Sequence, residues 1–576
     1  MKQSTRFCAL LLAMLLVLSL AACANNTTTT TPADDSTPEA VTPDTPANNT
    51  DNTQQEAPAE TPDTTDEPAE TADPVDDTYG YTGSTGGIVL PICDEMTTLT
   101  GWKAWSSTYL DNPNEVACAI EIEKRTNVHI EWEFAASQVA KEKYNLMMAS
   151  TNYPDLLWVN LSYITGGVDK MVEDEVFVDA ANYFDITPNF VRLINANAET
   201  DRQCKTDTGV YFFGNIQSGC QPAWCGPMVR TDWLTDCGLD TPVTYEDWHE
   251  MLVAFKDQKN AISPLLLSNT GYDSLGFGLT SGFDTAVDFY NCDGTVRYGI
   301  LDDTMRDYVQ LMANWYAEGL IANDFVSLNG WTDGQTMFLN NETGAFSNAA
   351  YTSKLSYEAL HTDENAAIDA VPFPSVTADR QGTLHFRRVN REVGQDSMYI
   401  TTAAVDRGVD EIAAKWMDYR YSDQGAWLRN YGIEGETWEL GEDGMPHFTD
   451  FFLHNDTYLV SEMTGLYCEH NTSGYYMWIR ENDMYPADVL AAYDIWGDSA
   501  TGDWVMPDIT MTTAEGEAYA AKYSDIQSYV NEMILKFIVG NEPMSSWDSF
   551  VAEVKSMGIE DCIAIKQAAL DRYLAR

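Results

Sequence analysis

The sequence predicts an α/β body, and three observations predict it. Beyond residue 86, short apolar or alternating runs are followed by amphipathic stretches, the order expected of strand–helix units. Several helical stripes carry clear start and stop signals. No internal repeat with a period of about 20 to 50 residues is present, which excludes a solenoid or propeller.

The elements follow in order. Gly87–Pro91 reads as a first strand, followed by a Trp-rich loop over Thr100–Ser107. Asn114–Arg125 reads as helix, and Val128–Glu133 alternates like a strand. A helix over Ser137–Ala149, a turn at Tyr153-Pro154-Asp155 and a buried strand at Leu156–Val159 come next. Thr244–Lys256 is amphipathic, with Thr244 and Asp247 as a capping-box-like start and Trp248, Met251, Leu252 and Phe255 on one face. Asp302–Glu318 repeats the pattern and is stopped by Gly319. Val409, Ile412, Ala413, Trp416 and Met417 form another stripe. Ile526–Phe537 and Trp547–Val554 supply two more. Such stripes belong to cores.

Ahead of the body, Lys2 and Arg6 precede an apolar run from Ala9 to Leu20, short for a membrane span. The run ends in Leu20-Ala21-Ala22-Cys23, which resembles the lipobox of bacterial lipoproteins. Residues 1–22 are therefore expected to be a lipoprotein signal peptide and Cys23 the lipidated residue, the alternative being an ordinary secretory signal. Acyl chains on Cys23 would anchor by apolar burial, about 0.8 kcal/mol per methylene. Residues 23–86 contain 14 acidic side chains, no Lys or Arg, and much Thr and Pro. A chain of this kind cannot bury enough surface to offset its ordering entropy, so it reads as an extended stalk, or alternatively as an interaction tail. A stalk suits an extracellular, membrane-anchored protein of a Gram-positive envelope.

The chain carries 89 acidic and 32 basic residues, a net charge of −57; the body alone has 75 acids against 30 bases. That excludes non-specific binding to nucleic acid or anionic lipid. Eleven cysteines are present, nine of them in the body, without a CxxC pair, and the seven histidines form no HExxH. No metal or cofactor is expected. Cys204, Cys220, Cys225 and Cys237 are close enough in sequence to pair. Asn291-Cys292-Asp293-Gly294-Thr295 begins like a calcium loop, but Asp302 stands where the bidentate Glu belongs, and a hairpin turn is the better reading. No GxSxG elbow and no P-loop occur.

A family resemblance emerges from particular segments. Lys143–Ser150 followed by Tyr153–Leu157, Asp232–Leu239 with Pro242 and the Thr244 helix, Trp315–Ile321, Tyr431–Glu436, and the C-terminal Phe537–Gly540, Trp547-Asp548 and Ala568–Tyr573 occur in family order. Together they resemble the extracellular solute-binding lipoproteins of carbohydrate ABC importers, near the LipO group, over roughly Gly87 to Tyr573. Cys237 stands where the family usually has a charged residue. The resemblance implies a two-lobe, type II periplasmic-binding-protein-like fold with hinge strands and a helical C-terminal extension. The expected division is 87–205 for lobe 1, 206–334 for lobe 2, 335–400 returning to lobe 1, 401–510 in lobe 2, and 511–576 as C-terminal helices. It further implies a monomeric receptor with no catalytic role that binds a mono- or oligosaccharide between the lobes and partners ABC permease subunits.

A sugar site needs aromatic platforms and convergent polar groups. Trp102 and Trp105 follow the expected first strand, and Trp224 lies in a Gly/Pro/Cys-rich loop. Trp331 follows Asn329-Gly330, and Trp478 adjoins Tyr475 and Tyr476. Each is a platform or, alternatively, a packing residue. Polar candidates are Asn160, Ser162, Asn348, Gln395 and Asp396, whereas Glu434 reads as a backbone tie. The rival functions are a surface glycoside hydrolase, which needs two opposed carboxylates, and a peptide receptor on the same scaffold.

Overall fold

The computed structural model describes residues 83–164, 166–217, 222–389 and 391–576. The signal segment, Cys23, the acidic stretch to residue 82 and Cys220 lie outside the described residues. The strands in chain order are β1 Thr97–Ala104, β2 Val128–Ala135, β3 Leu156–Asn160, β4 Phe213–Gln217, β5 Cys225–Arg230, β6 Ser263–Leu266, β7 Phe289–Cys292, β8 Thr295–Tyr298, β9 Thr343–Ala350, β10 Ile368–Ala370, β11 Val393–Ile400, β12 Trp438–Leu440, β13 Pro446–Phe448 and β14 Gly474–Tyr476. One sheet has the order β14-β4-β11-β3-β1-β2, and a second has β10-β5-β9-β6. The chain crosses between them from β4 to β5, from β10 to β11, and from β14 to the helix Ala487–Ser499, whose Trp496 donates to the Pro227 carbonyl at 3.2 Å.

Three expectations need correction. The first strand begins at Thr97, and Gly87–Pro91 forms turns and bends. Proline cannot donate to a sheet ladder, whereas the β-branched run Thr97, Thr98 and Thr100 suits one. Trp102 therefore stands inside β1, which is parallel to β2 on one side and β3 on the other. It is 1% exposed, with its ring 5.9 Å from that of Tyr144, so it is core rather than a loop platform. Its neighbour Gly101 leaves room for the Trp132 ring, which lies 2.5 Å from where a Cβ would stand.

The second correction concerns the crossings. β9 and β10, within 335–400, pair with β5 and β6 in the second sheet, and β11 marks the return to the first. Residues 401–510 divide likewise. The helices Asp410–Tyr419 and Asp423–Tyr431 pack in the first core, and Ala487–Ser499 packs by the second sheet. Composition carries no signal of which sheet a buried strand joins. Third, Cys204, Cys225 and Cys237 are free thiols.

The amphipathic stretches fold as helices at Ala117–Thr126, Ser137–Ser150, Tyr245–Lys259 and Asp303–Ala317, and the Thr244–Asp247 capping box forms. Cys292 pairs with Thr295 across Asp293-Gly294, both at positive φ, giving a two-residue hairpin. The C-terminal helices Thr513–Ile538, Trp547–Ser556 and Ile559–Ala575 share one apolar core with Val229, Trp248 and Trp315 of the second lobe. Their far end returns to the first lobe. There Arg572 and Arg576 both pair with Asp207, and the Tyr573 hydroxyl donates to Glu199 at 2.6 Å.

A buried cationic clamp holds the segment that carries β14. Arg429 donates to the carbonyls of Glu469 (2.9 Å), Thr472 (2.7 Å) and Tyr475 (3.1 Å), and Arg420 Nε donates to the Ser473 carbonyl at 3.0 Å. Asn430 adds a bond to the Tyr475 carbonyl and accepts from the Met477 amide. Gly474 sits at φ +135°, where a Cβ would meet the Arg429 guanidinium at 2.4 Å. Glu469 balances part of the charge, pairing with Lys103 at 3.4 Å and Arg420 at 3.1 Å. Burial alone would raise its carboxyl, but Lys103, Arg420 and Arg429 together hold it down at about 2.

Two outcomes are expected. Trp102→Ala should cost about 3–5 kcal/mol in urea unfolding, because it empties a core site. Because the Glu469 carboxyl is depressed on folding, its contribution is complete above pH ~4.5 and is lost as pH falls toward 2. The contribution is on the order of 3 kcal/mol. Thermal melts of Glu469→Gln should start lower at neutral pH and show a shallower decline over that acid window.

Candidate functional site between the lobes

A cavity of about 400 Å³ opens where the two sheets meet, within the range of about 300–1,000 Å³ typical of small-molecule sites. The first lobe contributes Asn215 and Gln217 from β4, Ser461 and Thr464 from the helix Val460–Tyr467, and His470, Asn471, Tyr476 and Trp478 from the clamped segment around β14. The second lobe contributes Trp224, which leads into β5, and Tyr351, which follows β9. Arg480, Glu481, Met484 and Tyr485 close it along the third crossing. Period-two alternation sorts the tyrosine pair: Tyr475 packs into the first core and Tyr476 faces the cavity.

Internal bonds stiffen the walls. Trp478 Nε1 donates to Gln217 Oε1 at 2.6 Å, and the Trp478 ring meets Tyr476 edge-on at 4.8 Å. Glu481 joins the lobes: its Oε2 accepts from the Tyr351 hydroxyl at 2.6 Å and its Oε1 from the Tyr476 hydroxyl at 3.0 Å. Arg480 Nε lies 3.6 Å from Glu481 Oε1, and its Nη1 donates to the Asn430 carbonyl. Burial, reinforced by Arg480 and Arg429, presses the His470 imidazole well below its usual range, so it is neutral near pH 7. Asn215 Oδ1, Trp224 Nε1 and His470 Nδ1 are shut from solvent and have no hydrogen-bond partner among the described residues.

Of the residues singled out from sequence, the structure brings Trp224 and Trp478 to this cavity. Trp331, 47% exposed, packs against Trp224 at 6.0 Å between ring centres and extends the aromatic wall outward. The other candidates lie elsewhere. Trp105 meets Phe134 edge-on at 5.2 Å. Asn160 Nδ2 donates to Asp396 Oδ1 at 3.1 Å across the paired strands β3 and β11, and Asn160 Oδ1 accepts from the Ser162 amide. Burial raises the Asp396 carboxyl. Gln395 is exposed and reaches toward Asp508. Asn348 is buried on β9 outside the cavity lining. Glu434 lines a separate hollow of about 550 Å³ with Arg125, Trp427 and Trp438, within the first lobe only.

The residues missed include Asn215, Gln217, Tyr351 and Glu481. Asn215 and Gln217 had a readable signal, two polar residues alternating through a fully buried strand. Tyr351 and Glu481 gave none, because each earns its place only through the other.

Comparisons with known proteins cover nearly the whole body. The chain is 24% identical over 530 residues to the fructooligosaccharide ABC transporter substrate-binding protein FusA of Streptococcus pneumoniae, spanning 85% of this chain and 93% of that one. It is 20% identical over 477 residues to lipoprotein LipO of Bacillus subtilis, spanning 78% and 88%. The crystal structure of the alginate-binding protein AlgQ2 superposes with a TM-score of 0.66 at 22% identity, covering 83% of this chain and 99% of AlgQ2. That likeness establishes the fold as the two-lobe, type II periplasmic-binding-protein arrangement. With a family sequence model matching residues 117–427, more than half its length, the chain belongs to the bacterial extracellular solute-binding proteins.

Proposed function

We propose that the protein is the carbohydrate receptor of an ABC importer, capturing a mono- or oligosaccharide in the interlobe cavity and delivering it to a membrane permease. The observation that carries this reading is the composition of the cavity. Trp224, Tyr351, Tyr476, Trp478 and Tyr485 line it together with the uncharged polar side chains of Asn215, Gln217 and Asn471, and both lobes contribute to its walls. Sugars present C–H faces to aromatic rings and hydroxyls to such groups. The relatives named for fructooligosaccharides and alginate support a carbohydrate ligand.

The reading is of binding without chemistry. A glycosidase needs two opposed carboxylates, about 5–5.5 or 6.5–9.5 Å apart. Among the described residues lining the cavity the sole carboxylate is Glu481, and it already accepts from two tyrosines. Closure of the lobes would cover the sugar on both faces and present a joined surface to the permease. Cys23 would tether a monomeric receptor to the outer face of the membrane, with the acidic segment setting its reach.

The test is calorimetry and thermal shift on the purified protein with short fructo-, malto-, manno- and galacto-oligosaccharides and oligouronates. One class should bind and raise the melting point. Trp478→Ala and Trp224→Ala should each lose on the order of 2 kcal/mol of affinity, about 30-fold. Binding by both variants at full strength, or cleavage of a glycosidic bond, would reject the reading. In cells, Cys23→Ala should move the protein from the membrane fraction to the soluble one.

A further inference from the structure

One aromatic ring beside the cavity is left uncovered. The chain has 16 tryptophans, all among the described residues. Trp331 alone is exposed, 47% open to solvent, and the others are buried or half-buried. Its place follows from the topology of the second lobe. The helix Gly330–Leu339 precedes β9, and the turn over 340–342 sends the chain back along it. Gly334 lets the helix pack closely there, since a Cβ at that position would stand 3.2 Å from the Phe346 ring of β9. The start of the helix therefore points toward the end of β9 that leads to Tyr351. The Tyr351 amide donates to the Trp224 carbonyl at 3.1 Å, and both side chains line the cavity. Trp331 precedes the buried Gly334 and Phe338 by three and seven residues and so continues their stripe. Helical side chains lean toward the N-terminus, which carries the Trp331 ring beyond the packed part of the helix to Trp224, 6.0 Å between ring centres. Its backbone is pinned as well. Asn329 Oδ1 accepts from the Trp331 amide at 3.0 Å, and Asp333 accepts from the Asn329 amide at 2.7 Å. Asn329 already caps the helix, so the helix start does not need a large ring at residue 331.

Taking the receptor reading above as its basis, we infer that Trp331 is the platform of an outer subsite, and that the ligand is an oligosaccharide long enough to reach it from the cavity. One end of the chain lies among Trp224, Tyr351, Tyr476 and Trp478. A further unit rests on the open Trp331 ring. A saccharide suits such a place because its C–H face covers the indole while its hydroxyls stay in water. The contact between the two tryptophans makes the outer platform continuous with the cavity wall. A glycosidic bond joins the two contacts, so the second forms within a complex already made and adds affinity without a second cost of association. A monosaccharide cannot cover both places, and affinity therefore rises with chain length.

The experiment is a length series, mono- to pentasaccharide, of the class that binds in the panel above, measured by calorimetry on the wild type and on Trp331→Ala. Wild-type affinity should climb with length until the outer ring is covered. Trp331→Ala should lose about tenfold for the long members and no more than about twofold for the disaccharide. Trp331→Phe keeps a ring and should recover most of that loss. Iodide, a charged quencher that reaches exposed rings, reads the contact directly. A long oligosaccharide should protect wild-type emission that a monosaccharide leaves open to quenching, and the difference should vanish in Trp331→Phe. A merely structural role for Trp331 would lower the melting point of the free protein and weaken binding equally at every length. That pattern, or a monosaccharide bound as tightly as the longer members, would overturn the inference while leaving the receptor reading standing. A wild type silent to every saccharide would remove both together. If Trp331→Ala does not fold, the wild-type length series and the quenching comparison with Trp331→Phe still decide.

Discussion

The placement of the cleft residues depends on the buried arginines Arg420 and Arg429. Neither uses its guanidinium chiefly to reach a carboxylate. Both bind backbone carbonyls of residues 469–475, and so pin an otherwise irregular approach to β14. An arginine suits this task because its planar fork has several donors in fixed directions and keeps its charge when buried. The arrangement requires Gly474, whose positive φ and missing side chain let the guanidinium come close. Burying cations has a large desolvation cost, and Glu469 offsets part of it from the centre of the cluster. The consequence is functional. His470, Tyr476 and Trp478 hang from a segment that is short as a strand but rigid as a wall.

A second constraint is set by Glu481, on the third crossing between the lobes. Its two oxygens accept from a tyrosine of each lobe, so one carboxylate registers the position of both. It shapes the cavity and limits which relative positions of the lobes keep its bonds. The far side of the molecule carries a different tie, the cluster of Arg572 and Arg576 on Asp207. The C-terminal helices share a core with the second lobe yet end on the first. The two lobes are thus tied to one another at two separate clusters, one at Glu481 and one at Asp207.

The sequence by itself determined much of the local architecture. Period-3.6 stripes located the helices, the Thr244–Asp247 capping box formed where it was read, and Asp293-Gly294 made the expected hairpin turn. These features are local, set by backbone preference and by which face of an element is apolar. Trp224, in a Gly- and Pro-rich loop, and Trp478, beside Tyr475 and Tyr476, were also legible as cleft candidates. What the sequence did not contain was register and sheet membership. Trp102 looked like a loop platform until β1 was seen to run between β2 and β3 with the Trp102 ring buried against Tyr144. β9 and β10 joined the second sheet, and Asn160 and Asp396 bond to each other outside the lining of the interlobe cavity. Tyr351 and Glu481, 130 residues apart in sequence, meet only when the lobes pack. Such pairings are long-range and are chosen by the packing of the whole body, so no local signal encodes them, and the tertiary structure alone decides which side chains meet at the cavity.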